Sequence, residues 1–339
     1  MKKLPIIICA LGAILFGASC SKATAPQTAE TGAQQPQASL SINLLDGTKS
    51  TASSSEKDKT VNSIQVLVFN LDKDGEAEAW AKSTSKDNIP TMLVSFGKKE
   101  IWAIANCNDD LSQVLSINDL LSRQYTLDKT NVGSLLMAGK NQVDVITSNP
   151  SVSIAITHLQ SKVTVKKITR QFTTYAQQIK EMKINGIYLI NAVGASHFDG
   201  TLSDVWVNKH GHLDNAYDKV LYDAVGQTLA NSNSYTTTHS FYPFPNDSTN
   251  ELTSGDGSNA KTMLVVDCTL GGRPCYYPLW LPKGATETLA RDKEYVIEEI
   301  VLTRPGSDLP YEPTTSAYLN VVIQPITDFG TGANYQEQI

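Results

Sequence analysis

Few residues in this sequence have the types and spacing that chemistry requires. His210 and His212 could offer two imidazoles to a metal ion, but no third His or Cys lies near them, and Gly211 between them is typical of a surface turn. The sequence contains no Gly-x-Ser-x-Gly elbow, no His-Glu-x-x-His motif, no phosphate-binding glycine loop and no Cys-x-x-Cys pair. We therefore predict no enzyme, no cofactor and no metal site.

The acidic residues fit turns and caps better than catalysis. Asp72, Asp74 and Glu76 resemble the beginning of a calcium-binding loop, but the later ligands of such a loop are missing, so a hairpin turn is the better interpretation. Asp109 and Asp110 precede a helical pattern, and capping of that helix explains their position.

Cys20 is a candidate site of covalent modification. It follows a basic start, an apolar run over residues 4–16 and three small residues, the pattern of an export signal that ends before a lipidated cysteine. The apolar run is shorter than the ~20 residues of a membrane-spanning helix. We predict a signal peptide over residues 1–19 and lipidation of Cys20, with ordinary cleavage near Ala23 or Ala25 as the alternative.

The composition after the signal limits the possible partners. Residues 20–37 are mostly Ala, Gln, Thr and Pro, with little to bury, and are predicted to form a flexible tether. Loss of residues 1–19 removes two of the 28 basic residues, which leaves 26 against 34 acidic residues and a net charge of −8. Binding to nucleic acid requires a basic face, so we expect no nucleic-acid partner.

Three more cysteines follow Cys20. Cys268 and Cys275 flank Thr-Leu-Gly-Gly-Arg-Pro, a hairpin-like turn, so a disulfide between them across two strands is possible in an oxidising compartment. The odd count leaves Cys107 as a buried thiol.

Clustered aromatic residues indicate a second kind of site. Tyr276, Tyr277 and Trp280, together with the aromatic residues of segment 241–244, could present rings to a sugar. Alternation along strands makes packing in the core the commoner cause of such a pattern. A surface glycan-binding protein is therefore one alternative function.

The elements that must position these residues are mainly strands. Ala38, Leu40, Ile42 and Leu44 alternate with mostly polar residues, the period-two pattern of a strand with one buried face. The polar run 47–60 that follows is predicted to be an exposed loop. Further strands are predicted within residues 61–70, 92–96, 101–106, 152–156, 163–168, 184–190, 240–244, 263–268, 276–281, 295–302 and 318–323.

Two helical patterns interrupt the strands, at residues 109–123 and 213–230. Asn149-Pro150 is a turn dipeptide and is the predicted domain junction. The sequence therefore predicts an all-β fold with minor helices, made of two tandem antiparallel β-sandwich domains at residues 38–149 and 150–339.

Seven short segments follow one another in a specific order and spacing. They are Val61 to Asn70, Ile101 to Asn106, Ser134 to Gly139, Lys162 to Val165, Ile187 to Asn191, Phe241 to Asn246 and Tyr276 to Pro282. Together they resemble fimbrillins, the lipoprotein pilins of type V pili on Gram-negative anaerobes, over nearly the whole mature chain.

The resemblance implies a mechanism of assembly. It implies two transthyretin-like domains, export as a lipoprotein to the outer membrane, and proteolytic removal of a first strand that contains Ala38, Leu40, Ile42 and Leu44. The vacated groove would accept a strand from another subunit, because an extended segment satisfies unpaired strand edges while alternate side chains fill pockets.

The implied donor is the C-terminal segment. There Leu319, Val321 and Ile323 alternate with residues 320, 322 and 324. The implied function is that of a structural pilin subunit of a cell-surface fimbria that serves adhesion, with other pilin subunits and host or bacterial surface ligands as partners.

One departure from the family leaves an alternative open. The processing protease of the family favours arginine, but residues 21–122 contain none, and Lys49, Lys57 and Lys59 are the candidate cleavage positions. An uncleaved lipoprotein that serves as an anchor or tip subunit is therefore the alternative to a polymerising pilin.

Overall fold

The computed structural model describes residues 36–45, 60–250, 258–282, 288–313, 317–325 and 334–335. The N-terminal half holds nine strands: β1 (Gln37–Leu45), β2 (Ile64–Asn70), β3 (Glu76–Ser83), β4 (Met92–Ser95), β5 (Gly97–Ala105), β6 (Gln124–Thr126), β7 (Met137–Val145), β8 (Ser151–Ala155) and β9 (Thr157–His158).

The C-terminal half holds the remaining strands. They are β10 (Lys162–Val165), β11 (Ile168–Arg170), β12 (Met182–Ile190), β13 (Ala192–Val193), β14 (Ala195–His197), β15 (Trp206–Val207), β16 (Tyr222–Thr228), β17 (Ser234–Tyr235), β18 (His239–Phe241), β19 (Met263–Leu270), β20 (Arg273–Trp280), β21 (Lys293–Leu302), β22 (Ala317–Pro325) and β23 (Asn334–Tyr335). The α-helices of the described chain are short: α1 (Ile117–Ser122), α2 (Tyr175–Gln178) and α3 (Asp218–Leu221). None of these helices has the length and apolar character needed to cross a membrane.

Two sheets form the N-terminal sandwich. The first has the strand order β3-β2-β5-β7-β9, and the second has the order β4-β1-β8. Every residue of β2 is buried, because alternate side chains enter different cores: Val66 and Val68 face the sandwich interior, while Leu67 and Phe69 join the larger core. Burial on both faces explains why this strand reads as a continuous apolar run.

The C-terminal half contains two further large sheets. One has the strand order β16-β12-β19-β20, and the other runs β17-β11-β21-β10-β18 with β22 paired to β21 and β23 paired to β22. The larger core draws residues from both halves of the chain, including Trp102, Val163 and Ile187.

The predicted all-β fold is confirmed, with one difference in strand direction. Most strand pairs are antiparallel, but β1 with β8, and β21 with both β10 and β11, are parallel. Parallel pairing joins strands that are distant in sequence, so local turn patterns carry no signal for it.

The helix predicted at residues 109–123 is shorter than expected. It begins only after Ser116, whose hydroxyl accepts a hydrogen bond from Asp119 N at 3.1 Å. The preceding segment is held in a loop because the side-chain oxygen of the buried Gln65 accepts from Leu111 N at 3.0 Å. A long-range bond from a neighbouring strand therefore overrides the helical pattern.

Asp109 and Asp110 do not cap this helix, so that prediction was wrong. Asp109 forms an ion pair with Lys129, with 2.8 Å between Oδ1 and Nζ. Asp110 accepts a hydrogen bond from Ser112 N at 2.9 Å, and this turn holds the pKa of its carboxyl below the ordinary value.

The helix predicted at residues 213–230 was also wrong for most of its length. Only a 3-10 turn at Asn215–Tyr217 and the single turn α3 are helical, and β16 follows directly. β16 pairs antiparallel with β12, where Tyr222 lies opposite Tyr188 and their rings stack at 6.0 Å between centroids. Strand pairing decides the conformation here, because context outweighs local preference in short segments.

The predicted division into two domains remains a proposal. β8 and β9 follow the predicted junction at residue 149, yet they pair with β1 and β7 of the N-terminal sheets. Because both strands belong to the N-terminal sheets, we propose that the junction follows residue 158.

Candidate functional site: the first strand and its groove

β1 shows the alternation of burial that its sequence predicts. Ala38 and Leu40 are fully buried and Ile42 is 7% exposed, whereas Ser41 and Asn43 are exposed. Leu44 is half-buried and packs at the edge of the same core. The strand therefore contributes one continuous apolar edge to the interior of the N-terminal sandwich.

β1 occupies the centre of its three-stranded sheet. Its first half pairs antiparallel with β4, with Leu40 opposite Met92. Its second half pairs in parallel with β8, with Ile42 opposite Val152 and Leu44 opposite Ile154. Two further backbone bonds, from Ser39 N at 2.7 Å and Ser41 N at 3.0 Å, reach the segment just before β8. Each half of β1 is thus paired with a neighbouring strand, and the segment before β8 adds bonds to the first half.

The floor beneath β1 is the inner face of the five-stranded sheet. Apolar residues of β2 and β5, among them Val66, Val68, Ile101 and Ala103, form one buried cluster with Ala38, Leu40 and Ile42. Without β1, the edges of β4 and β8 and part of this floor would meet water. The site is thus a groove about nine residues long that β1 fills.

β4 and β8 were not assigned to this site from the sequence. Each has alternating buried residues, Met92 and Val94 in the first and Val152 and Ile154 in the second, so the signal for a half-buried strand was present. The pairing with β1 was not readable, because β8 lies more than 100 residues further along the chain.

β22, the strand predicted to be the donor, lies near the C-terminus and has the same length as β1. Each strand has nine residues. β22 pairs antiparallel with β21, so that Leu319, Val321 and Ile323 lie opposite Ile300, Ile297 and Tyr295. Since β10 and β11 occupy the opposite edge of β21, β22 closes the remaining edge of that strand.

Cys268 and Cys275 lie directly opposite each other on β19 and β20, across the turn at Gly271 and Gly272. Both side chains are buried and both are free thiols in this structure, as is the buried Cys107. Burial raises the pKa of Cys268 well above its ordinary value and that of Cys107 to about 11. The disulfide therefore stays a prediction, and the prediction of a buried thiol at Cys107 is confirmed.

Several predicted positions lie outside the described residues. They are the signal at residues 1–19, Cys20, most of the tether, and Lys49, Lys57 and Lys59.

The predicted aromatic platform is mostly core. Phe241, Tyr242, Phe244 and Tyr277 are at most 5% exposed, so they cannot present rings to a ligand. Tyr276 and Trp280 are half-buried and pack on a small separate cluster around Tyr188 and Met263.

The other residues that the sequence offered as candidate metal ligands lie in turns. Asp72 lies in a 3-10 turn that ends at Asp74 and Gly75, both with positive φ, and this turn joins β2 to β3 as predicted. His210 belongs to another 3-10 turn, at Lys209–Gly211. Within the described part of the chain, no three His, Cys, Asp or Glu side chains gather closely enough to hold a metal ion.

Comparison with known proteins relates this architecture to one family. Residues 38–186, a little under half of the chain, match the family model of the major fimbrial subunit protein (FimA). This matched segment includes β1, the sheets that hold it and the beginning of the C-terminal half. A search of curated protein sequences returned no match.

Solved structures extend the likeness to most of the fold. A candidate cell adhesion protein from Bacteroides eggerthii superposes with a TM-score of 0.65 at 20% identity, over 86% of this chain and 96% of that one. The fimbrilin FimA of Porphyromonas gingivalis gives a TM-score of 0.60 at 14% identity, over 87% and 99%. The tip fimbrial protein Mfa3 of the same organism gives 0.52 at 14% identity, over 86% and 100%. The resemblance to the fimbrillin family is thus confirmed, in sequence over residues 38–186 and in fold over most of the chain.

Proposed function

We propose that this protein is a structural pilin subunit of a cell-surface fimbria that assembles by strand exchange and serves adhesion. One observation carries the proposal: β1 is the central strand of its sheet and fills an apolar groove. Its covalent link to β2 and the rest of the fold runs through segment 46–59. Cleavage within that segment would cut the covalent link without cutting any described strand.

The energy of assembly would come from the groove. Each large apolar side chain of β1 contributes about 1.5 to 3 kcal/mol through burial. Removal of β1 also leaves the backbone groups of β4 and β8 without partners, and an open apolar strand edge readily binds another strand. A strand from a second subunit would restore both the apolar burial and the backbone hydrogen bonds by β-augmentation, and this would need no ATP.

β22 is the proposed donor. It matches β1 in length, and its apolar residues Leu319, Val321 and Ile323 have the same spacing as Leu40, Ile42 and Leu44. A strand with that spacing places its apolar side chains on one face, as the groove requires.

Export and attachment belong to the same proposal. A signal peptide over residues 1–19 and a lipid on Cys20 would hold the subunit at the outer membrane by the tether 20–37 until β1 is removed. The family match to a fimbrial subunit supports a structural role rather than an enzymatic one, with other pilin subunits as partners.

The deciding measurement is the N-terminal residue of the protein recovered from the cell surface, by mass spectrometry of its terminal peptide. A terminus within residues 49–61 is expected, and Lys49, Lys57 and Lys59 give the expected cleavage positions. A lipidated Cys20 at the terminus of all surface protein would contradict removal of β1.

An uncleaved anchor or tip subunit is the second candidate. It is favoured by the lack of arginine in residues 21–122. In that role β1 would stay in its groove, and the subunit would end a fimbria instead of continuing it. The same terminal peptide distinguishes the two roles.

A further inference from the structure

A pocket of about 490 Å³ opens in the C-terminal half, and its lining residues belong to neither β1 nor β22. Its walls come from β15 and the loop that follows it, and Trp206 and Tyr217 are among the lining residues. The volume lies within the range of pockets that bind small molecules, about 300 to 1,000 Å³. Neither the pilin assembly proposed above nor the predicted aromatic platform uses this pocket.

The pocket loop is held in an unusual backbone conformation. Asn208 and His210 have positive φ of 51° and 50°, which non-glycine residues seldom adopt. Side-chain bonds stabilise it: Asn208 donates to Leu189 O at 3.1 Å and accepts from Asp214 N at 3.0 Å, and Asn191 accepts from His210 N at 3.1 Å.

A second segment supports the same loop from outside. The His210 ring stacks on Tyr311 at 4.6 Å between centroids. Gly211 has a φ of +75°, and a Cβ there would lie 2.5 Å from Pro310, so a side chain at this position would clash. Residues in rare conformations persist only where the surroundings fix them, and they cluster at binding sites. The pocket is therefore preformed rather than a gap in a loose loop.

The lining combines aromatic and polar groups. Trp206 and Tyr217 line the pocket, and both are half-buried and pack against the main core, which limits their movement. The Tyr217 hydroxyl is protonated at neutral pH and can donate a hydrogen bond, and burial raises its pKa further. His212 and Asp214 are exposed at the same wall, and the Asp214 carboxylate is oriented by a 3.0 Å bond from Ala216 N.

This set of groups fits a carbohydrate better than other ligands. Trp and Tyr rings offer apolar surface for the C–H faces of a sugar, and the imidazole, carboxylate and phenol offer donors and acceptors for its hydroxyls. Lys209 and Asp214 line the pocket with opposite charges, so the site favours no charged ligand over a neutral one. We propose that the pocket lined by Trp206 and Tyr217 binds a neutral saccharide, and that the subunit thereby has a glycan-binding site on its own fold.

The test uses the full exported chain, uncleaved and monomeric, so it does not depend on strand exchange. The protein is applied to an array of immobilised neutral oligosaccharides that end in glucose, galactose, mannose, fucose or N-acetylhexosamine. The strongest hit is then titrated by calorimetry. Trp206→Ala is expected to weaken binding about tenfold or more, as truncation of a central aromatic anchor does.

Matched variants keep the test decisive. Trp80→Ala removes a tryptophan of the N-terminal half that is 38% exposed, and it is expected to leave affinity unchanged. Should Trp206→Ala fail to fold, the exposed His212→Ala carries the test with an expected loss of several-fold, checked beside unchanged circular dichroism. The proposal is overturned if no array sugar binds, or if Trp206→Ala and His212→Ala both bind the sugar as tightly as the wild type. Loss of binding in Trp280→Ala would then place the sugar site on β20 instead.

Discussion

Leu40 is the residue whose side chain best reports how firmly β1 is held. It is fully buried, whereas Leu93 on β4, directly opposite Ser39, is 62% exposed. Leu40→Ala is expected to lower the free energy of unfolding of the uncleaved protein by about 2 to 5 kcal/mol, through lost burial and the cavity left behind. Leu93→Ala, the matched control, should change it by less than about 0.5 kcal/mol. Urea denaturation measures both, and equal effects of the two variants would contradict the burial pattern.

Cys107 gives the stability a dependence on alkaline pH. Burial raises the pKa of its thiol to about 11, against an ordinary value of 9.0. Below pH 9 the thiol is protonated in both states and its contribution is complete; as the pH rises from 9 to 11 the unfolded chain loses the proton first, so stability falls. The loss amounts to about 3 kcal/mol.

The measurement for Cys107 is the slope of unfolding free energy against pH, in reducing buffer, for the wild type and Cys107→Ala. The variant should show a shallower slope between pH 9 and 10.5, whatever its stability at pH 7. Identical slopes would mean that the thiol does not stay neutral in the folded state.

Cys268 and Cys275 have the cross-strand position that a disulfide requires. They are a directly opposed pair, and Cys275 lies in a fixed setting, where its sulfur accepts from Gly306 N at 3.2 Å. We expect protein exported to an oxidising compartment to carry this bond, with Cys107 still a thiol. Because the closed loop is short, the bond should add only about 2 kcal/mol of stability. Peptide mapping without reduction tests it, and alkylation of all three cysteines after unfolding would refute it.

At the scale of the element, β1 should remain bound after its connection is cut. Its buried apolar side chains and two paired edges do not depend on the covalent link. A specific protease site placed between residues 46 and 59 allows a single cut. After cleavage, the fragment that ends near Leu45 is expected to elute with the body on size exclusion, and a peptide with the sequence of residues 317–325 should displace it slowly. As a control, the cleaved β1 fragment should leave the Leu40→Ala protein faster than the wild-type protein. Immediate loss of the fragment from the wild-type protein would show that the groove binds β1 only weakly.

The elements also show what the sequence could and could not reveal. β1 could be predicted from the sequence because its one buried face gives a clean alternation of apolar and polar residues. β2 could be predicted because burial on both faces gives a continuous apolar run. β16 was not predicted as a strand, because the helical spacing of Tyr217, Val220 and Leu221 before it continues to Ala224 within it. Only pairing with the distant β12 makes the segment after α3 a strand. The parallel contact between β1 and β8 and the pocket at Trp206 depend on contacts that local patterns do not encode.

For the whole molecule, strand exchange requires two separate features on one chain. In the proposed assembly, a subunit would accept a strand through the groove that β1 vacates and would donate β22. Growth would need both features, and a subunit that lacks one of them would end the polymer. The groove lies within the segment that matches the FimA family model, whereas β22 lies beyond it. The two roles can therefore be separated by mutation.

Val321→Asp should abolish donation while leaving acceptance intact. An aspartate in the apolar series of β22 would have to be desolvated in the groove without a charged partner, which costs several kcal/mol. The matched control is Asn320→Asp, the adjacent position of the alternate series, which should polymerise normally. After cleavage between residues 46 and 59, light scattering should report polymers for the wild type and the control but monomers for Val321→Asp. Mixed with wild-type subunits, Val321→Asp should shorten the polymers in proportion to its fraction, because it still accepts a strand but offers none. Polymers of normal length from Val321→Asp alone would show that β22 is not the donor and that another segment joins the subunits.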